Sequence, residues 1–482
     1  MTIISQFNHS LLNKKDKLAL IYKDNEYTFG DLDKRSNRMA HLLLRKGLQK
    51  GDRLCLYAEN SAYFIDIYIA CIKIGIIFVP VNVLYKEREL LHIFNDAKPK
   101  FFISSAEITL KEITYWNIDI LAKEALAESD DAINAQIDGD SPAAIIYTSG
   151  TTGASKGAIL TNNNFIVNAI NLISCWEINA TDKLLLALPL FHVHGLANGL
   201  HVWLMTGCTL KLLERFEYQK APSEFLSFKP TIFFGVPTMY IRMLNFSEAD
   251  AINISASVRL FVSGSAPLPP NILNEFLEKY KSVILERYGM TETLMNISNP
   301  YVGERRPGTV GFPLPGISVK IVNPDNSQVN AGEEGELLVK GGNVFKGYWQ
   351  RQEATDMAFV DGYFKTGDMA ICSEDGYYTL KGRKSDLIIS GGFNIYPREI
   401  EEYLLEQHGV AEAAVVGVPH DIRGEVPMAY IVLSNGSINL KTIEDNCKKT
   451  FASFKIPKSF IVVDNLPRTA LGKVQKHLLP KP

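Results

Sequence analysis

Between residues 28 and 286 short apolar runs alternate with amphipathic stretches, and that alternation narrows the fold more than any other feature. Thr28-Phe29-Gly30-Asp31 reads as a capping box with Asp in place of Glu. It opens a helix that carries Leu32, Met39, Leu42 and Leu43 and stops near Gly47. Strand signals follow at 52–57, 76–81 and 101–104, with helices over 64–74 and from Glu87. Further strands are expected at 143–147, 158–160, 184–188, 209–213, 231–234, 260–262 and 283–286, and Thr161 can cap a helix. Strands alternating with helices predict an α/β fold of doubly wound sheets. The stretch 64–84 is apolar enough to suggest a membrane, but Asp66, Lys73, Gly75 and Pro80 interrupt it. A buried helix running into a buried strand accounts for it better.

At 482 residues the chain is too long for one core. From Gly308 its texture turns to short strands and Gly/Pro turns, a β-rich subdomain over about 308–382. A boundary falls near 382, so residues 1–382 form a large N-terminal domain. Residues 383–482 form a small mobile α+β domain, in which Pro397 is well placed at a helix start. A net charge of −3 gives no support for nucleic-acid binding or an anionic membrane surface. The first residues lack a basic start followed by an apolar core, so they make a poor signal peptide. Six cysteines without Cys-x-x-Cys spacing read as buried thiols, as in a reducing cytoplasm, where a monomer or homodimer is expected.

The stretch Tyr147-Thr-Ser-Gly-Thr-Thr-Gly-Ala-Ser-Lys-Gly157 lies between two apolar runs and reads as strand, tight loop, strand. Gly150 and Gly153 let backbone N–H groups approach a ligand and point the same way, an anion-binding nest. Thr148, Ser149, Thr151 and Thr152 add hydroxyls and Lys156 a compact cation, a set suited to a polyphosphate. It is not a Walker loop, because Lys156 follows Ser155 and leads into a strand rather than a helix. Glu292, in Arg287-Tyr288-Gly289-Met290-Thr291-Glu292, follows a strand end. A carboxylate beside a phosphate site needs a cation between them, which makes Glu292 a candidate Mg²⁺ ligand.

The loop string resembles the phosphate-loop signature of the adenylate-forming superfamily: acyl- and aryl-CoA synthetases, luciferases and peptide-synthetase adenylation domains. The resemblance runs over nearly the whole chain. It implies ATP, Mg²⁺, coenzyme A and a small carboxylic acid as reactants, with no membrane insertion. It gives Thr148 and Glu292 to magnesium, and places Ser263-Gly264-Ser265-Ala266 and Glu286 to Thr291, Tyr288 foremost, around the adenine. Asp368 and Arg383 fall to the ribose. Lys473 is the lysine that swings in during adenylation and, with His192, Thr148 and Glu292, makes up the catalytic set. Gly391, Gly392 and Phe393 resemble the loop that enters for thioester formation. The hinge between the two poses falls by register on Ser385, where the family usually has Asp or Lys.

His192 and His194 follow a strand and, at i and i+2, are expected to face one side of it; metal binding there lacks further ligands nearby. They resemble the segment gating the acyl pocket, with residues 235–240 as another wall and Met295 beside it. Arg305 and Arg306 stand where fatty-acid and coumarate ligases need an apolar surface. A guanidinium there suits a substrate with a second carboxylate, as in malonyl-CoA synthetases. Either arginine fits this role, and replacing both by Met is expected to raise the malonate KM. The expected activity is therefore malonate or methylmalonate to malonyl-CoA-type product. Alternatives are a ligase for short-chain, fatty or aryl monoacids, a carrier-loading adenylation enzyme, or a catalytically dead regulator.

Overall fold

The structure, a computed structural model, describes residues 1–108, 110, 114–133, 135–148, 155–390, 393–420, 423–434, 439–451, 453–469 and 472–480; of Phe393 and Asn394 it describes the backbone alone. Among the described residues the strands form four main sheets. The largest runs Phe312–Pro313, Leu294–Ser298, Leu285–Met290, Leu260–Ser263, Ile232–Gly235, Lys183–Leu186, Thr209–Leu212, Leu18–Tyr22, Asn25–Thr28. Its centre is parallel, from Leu260–Ser263 to Leu18–Tyr22. A second sheet runs Gly347–Tyr348, Lys156–Thr161, Pro142–Thr148, Ile77–Val81, Arg53–Tyr57, Phe101–Ser104, Trp116–Asn117.

One hydrophobic core joins these two sheets, uniting Leu54, Leu56 and Phe78 of one with Leu184, Leu186 and Leu210 of the other. The helices Phe29–Arg45, Ala62–Ile74 and Asn162–Cys175 contribute to that same core. A helix packed between two sheets must be apolar nearly all round, and Ala62–Ile74 is buried along almost its whole length. Its two charges are neutralised within the protein. Asp66 pairs with Arg35, and Lys73 reaches Asp33, Ser36 and Asn37 at 2.6–2.9 Å. No helix among the described residues is long and apolar enough to cross a membrane. Thr28 and Asp31 form the expected capping box on Phe29–Arg45. All six cysteines are free thiols.

The β-rich part forms an antiparallel sheet of Ser318–Val322, Glu334–Lys340, Tyr363–Cys372 and Phe359–Val360, with Tyr378–Arg383 paired to Tyr363–Cys372. One 3-10 turn, Lys384–Asp386, separates it from the last sheet, built on the long hairpin Val410–His420 and Gly424–Leu433. The helix Pro397–Leu405 begins at Pro397. Ser385 in the connecting turn is exposed, its hydroxyl 3.2 Å from Asp386 Oδ1.

One sequence expectation needs correction. The strand expected over 184–188 ends at Leu186, so His192 and His194 do not extend from it with period two. Pro189 has no N–H to give a ladder, and His192 N turns back to the Pro189 carbonyl at 3.2 Å. His194 then opens a π-helix, His194–Leu200.

Candidate active site

The two strands flanking the expected phosphate loop pair antiparallel, with Thr148 opposite Lys156. Ser149, Gly150, Thr151, Thr152 and Gly153 lie outside the described residues, as do Gly391 and Gly392 of the expected thioester loop and the side chain of Phe393. Both flanks of the phosphate loop are tied to the helix Glu87–Ala97. His92 and Asp96, four apart and so on one helix face, contact the Ser155 carbonyl at 2.7 Å and the Tyr147 hydroxyl at 2.8 Å. Asp96 also receives Arg351 at 2.6 Å, and its carbonyl accepts from the Trp349 indole at 3.2 Å.

Beside this hairpin, Lys156 Nζ stands 5.0 Å over the Tyr348 ring. The Tyr348 hydroxyl donates to Glu292 Oε1 at 3.1 Å. Glu292 is buried, and burial above all pushes its carboxyl above the usual range. Asp368 faces Arg383 across the hairpin, with Oδ1 2.8 Å from Nε, and accepts the Tyr288 hydroxyl on Oδ2. Lys473 comes from the far end of the chain to the same place. Loss of water and then Arg383 lower its pKa, while Asp368, Asp386 and Glu292 pull it back. Gly472, at φ +79°, makes the turn that delivers it, close against Thr238. The hairpin Leu285–Met290 to Leu294–Ser298 carries Gly289, Met290 and Thr291 at its turn, and Met295 is buried in the core.

A second group gathers around Arg287. Its guanidinium packs against Gly264 so closely that a Cβ there would lie 2.3 Å from Cζ. Ser265, held at φ +71°, points its hydroxyl to His194 Nδ1 at 3.1 Å. His192 Nδ1 accepts from the His194 backbone N–H at 3.2 Å. Burial, and after it the Arg287 charge, hold both imidazoles neutral, His192 being pushed down to about 3. Arg287 is itself buried, with Nε and Nη2 unpartnered. Burial pushes its pKa down to about 9. The side chain therefore belongs with the histidines and not with the nucleotide string in which the sequence places it. Period-two alternation in Leu285-Glu286-Arg287 was the available signal. Glu286 lies on the opposite face, accepting from Leu268 N at 3.0 Å, with Oε2 unpartnered like the buried Ser263 hydroxyl. Ala266 is partly exposed beside Ser265.

Arg305 and Arg306 do not join that group, contrary to the sequence expectation. Arg305 donates to the carbonyls of Val283, Pro300 and Tyr301 at 2.6, 3.2 and 2.9 Å. Val283 precedes Leu285–Met290, so Arg305 sits at the end of that strand away from Tyr288. Arg306 pairs with Asp375 at 2.7 Å and Glu304 at 3.2 Å and lies 3.9 Å over the Tyr377 ring. Both guanidiniums are satisfied by the protein, which leaves neither to grip a substrate.

A family model described as AMP-binding enzyme matches residues 7–349, and one described as AMP-binding enzyme C-terminal domain matches 399–473. The chain belongs to the AMP-binding enzyme family. Within this family it is 34% identical to malonate–CoA ligase of Arabidopsis thaliana, over 97% of this chain and 86% of that one. To 2-succinylbenzoate–CoA ligase of Bacillus subtilis (strain 168) it is 35% identical, over 96% and 95%. The crystal structure of ATP-bound MatB from Rhodopseudomonas palustris superposes with a TM-score of 0.93, at 36% identity over 99% and 98% of the two chains. The chain is an acyl-CoA ligase of the adenylate-forming kind, with the expected α/β architecture.

Proposed function

We propose that the enzyme activates malonate, or a diacid of similar size such as methylmalonate, as its acyl-adenylate and transfers it to coenzyme A. The buried Arg287 guanidinium with two unpartnered nitrogens carries this reading. A buried cation without a counter-ion is destabilising by several kcal/mol, and a second carboxylate bound bidentately removes that strain. The neutral histidines and Ser265 then supply hydrogen bonds without adding charge. Relatives of similar identity bear the names of malonate–CoA and 2-succinylbenzoate–CoA ligases, both for acids with two carboxyl groups.

The near carboxylate attacks the α-phosphorus, its P–O bond to pyrophosphate breaks, and pyrophosphate leaves. The coenzyme A sulfur then attacks the acyl carbon and AMP departs with the electron pair. In the first step Lys473 neutralises charge between carboxylate and α-phosphate, and the loop over 148–156 cradles the leaving phosphates. Asp368 and Arg383 orient the ribose; Tyr288, with residues 263–266, Glu286 and residues 289–291, lies by the adenine. Among the described residues no three His, Cys, Asp or Glu side chains cluster as metal ligands. One carboxylate and one hydroxyl fit Mg²⁺, which keeps water and takes one or two carboxylates plus phosphate oxygens. Glu292, with the Thr148 hydroxyl, would hold it, and bound Mg²⁺ supplies charge neutralisation on the phosphates. Residues 1–382 act as the main body, and residues 383–482 rotate about Ser385 to bring in Gly391, Gly392 and Phe393 for the second step.

Pyrophosphate release with a panel of acids tests the diacid claim. Malonate or methylmalonate should outperform acetate, butyrate, a long-chain fatty acid and 2-succinylbenzoate in kcat/KM. Preference for any monoacid overturns the proposal; preference for 2-succinylbenzoate keeps the diacid and overturns its size.

A further inference from the structure

Tyr348 is absent from every motif that the sequence offers, yet it touches two of the residues assigned to the nucleotide. The short strand Gly347–Tyr348 pairs antiparallel with Lys156–Thr161, setting Tyr348 opposite Ala158 and Gly347 opposite Ile159. Lys346 N to Ile159 O (2.9 Å) and Trp349 N to Gly157 O (2.7 Å) close that ladder at both ends. The Tyr348 N–H donates to Thr355 Oγ1 at 2.9 Å. Its backbone is thus fixed two residues from Lys156 in register. From there the ring lies under the Lys156 ammonium, 5.0 Å to the centroid, and the hydroxyl reaches Glu292 Oε1 at 3.1 Å. The neighbouring Phe345 N–H holds the Glu292 carbonyl at 2.7 Å, so one segment fixes both backbone and side chain of that glutamate.

We propose that Tyr348 is a positioning residue for adenylation: its hydroxyl occupies one oxygen of Glu292 and leaves the other for the divalent cation, while its ring keeps the Lys156 ammonium beside the phosphate loop. This rests on reading the site as one for Mg·ATP. The two contacts differ in kind. A hydrogen bond to a metal-ligating carboxylate orients the ligand in the way that outer-shell partners do. The ammonium–ring contact is weak and exposed, so an arriving phosphate draws the lysine off without a large cost.

The test is calorimetric binding of ATP to the full chain in chelator and in excess Mg²⁺, for wild type, Tyr348→Phe, Tyr348→Leu, Glu292→Gln and Tyr348→Phe/Glu292→Gln. Tyr348→Phe should bind metal-free ATP as wild type does but lose about tenfold of the gain that Mg²⁺ brings. Tyr348→Leu should also weaken metal-free binding, by about threefold. The double variant should lose no more of the magnesium gain than Glu292→Gln alone, because the hydroxyl acts through that carboxylate. A full magnesium gain in Tyr348→Phe overturns the proposal. So does an equal loss in both buffers accompanied by a lower melting temperature, which marks a purely structural ring. Equal ATP affinity of the wild type in both buffers overturns the reading of the site itself, and the role of Tyr348 with it.

Discussion

Arg287 and the Arg305–Arg306 pair show how little residue type says about role without the partners. All three are arginines near one strand hairpin, and the single guanidinium short of partners is the one beside His192 and His194. Replacing Arg287 by Met should raise the malonate KM at least about thirtyfold, the low end of what losing a desolvated charge pair costs. The ATP KM should stay within about twofold, since the change removes no nucleotide contact. Steady-state kinetics of each substrate decides this. Arg305→Met/Arg306→Met should leave malonate kinetics unchanged and lower stability by about 1–3 kcal/mol, because the three backbone carbonyls held by the half-buried Arg305 lose their donor. Glu286, on the other face, governs pH dependence. Burial raises its pKa to about 7 from 4.5, so between these values the folded chain holds a proton that the unfolded chain has lost. Stability due to this group is therefore full below pH 4.5 and falls as pH rises through 7, by on the order of 3 kcal/mol. Glu286→Gln should gain denaturant resistance over wild type at pH 8 and little at pH 5. Equal differences at the two pH values would contradict this sign.

At the scale of elements, the helix Glu87–Ala97 acts as a bracket for the loop between Thr148 and Lys156. Asp96 holds Tyr147 before the loop and Arg351 beyond the edge strand. Asp96→Ala releases both, so the ATP KM should rise about fivefold or more while the malonate KM holds, with stability down by about 1–3 kcal/mol. Elements whose strands are buried on both faces were legible in sequence because hydrophobic runs define them directly. The capping box at Thr28 was legible because its residues act locally, and the two strands that flank 149–154 because apolar runs define them. The π-helix at His194 was not, because its shape comes from a proline-directed turn and packing against the strand Lys183–Leu186. The role of Arg287 was hidden for a different reason. It depends on which face of a bulged hairpin a side chain takes, and on Gly264 across the sheet leaving it room. Tyr348 escaped because its partners, Glu292 and Lys156, lie far from it in the chain.

For the whole molecule the decisive feature is that Lys473, almost at the end of the chain, lies among Asp368, Arg383 and Glu292. Only the turn Lys384–Asp386 links its sheet to the rest by direct sequence, and no residue of that turn is buried. Such a joint changes backbone angles without disrupting a core, as hinges require. Among the described residues, polar contacts join the two parts: Arg398 to the Leu380 carbonyl at 2.7 Å, Lys384 to Glu336 at 2.7 Å, and Tyr396 to Glu334. Polar contacts of this kind are easier to exchange than an apolar interface, which would lock a pose. If the unit rotates between two half-reactions, a residue presented only in the first pose should matter only for the first. Lys473→Ala should cut pyrophosphate formation from malonate and ATP at least about a hundredfold, the scale for removing one preorganised electrostatic contact. Thioester formation from preformed malonyl-adenylate and coenzyme A should stay within about twofold, because that contact is absent from the second transition state. Both rates are measurable on the same variant by single turnover. Equal loss in both would place the lysine at the reacting atoms throughout, and a fixed arrangement of the two units would then suffice.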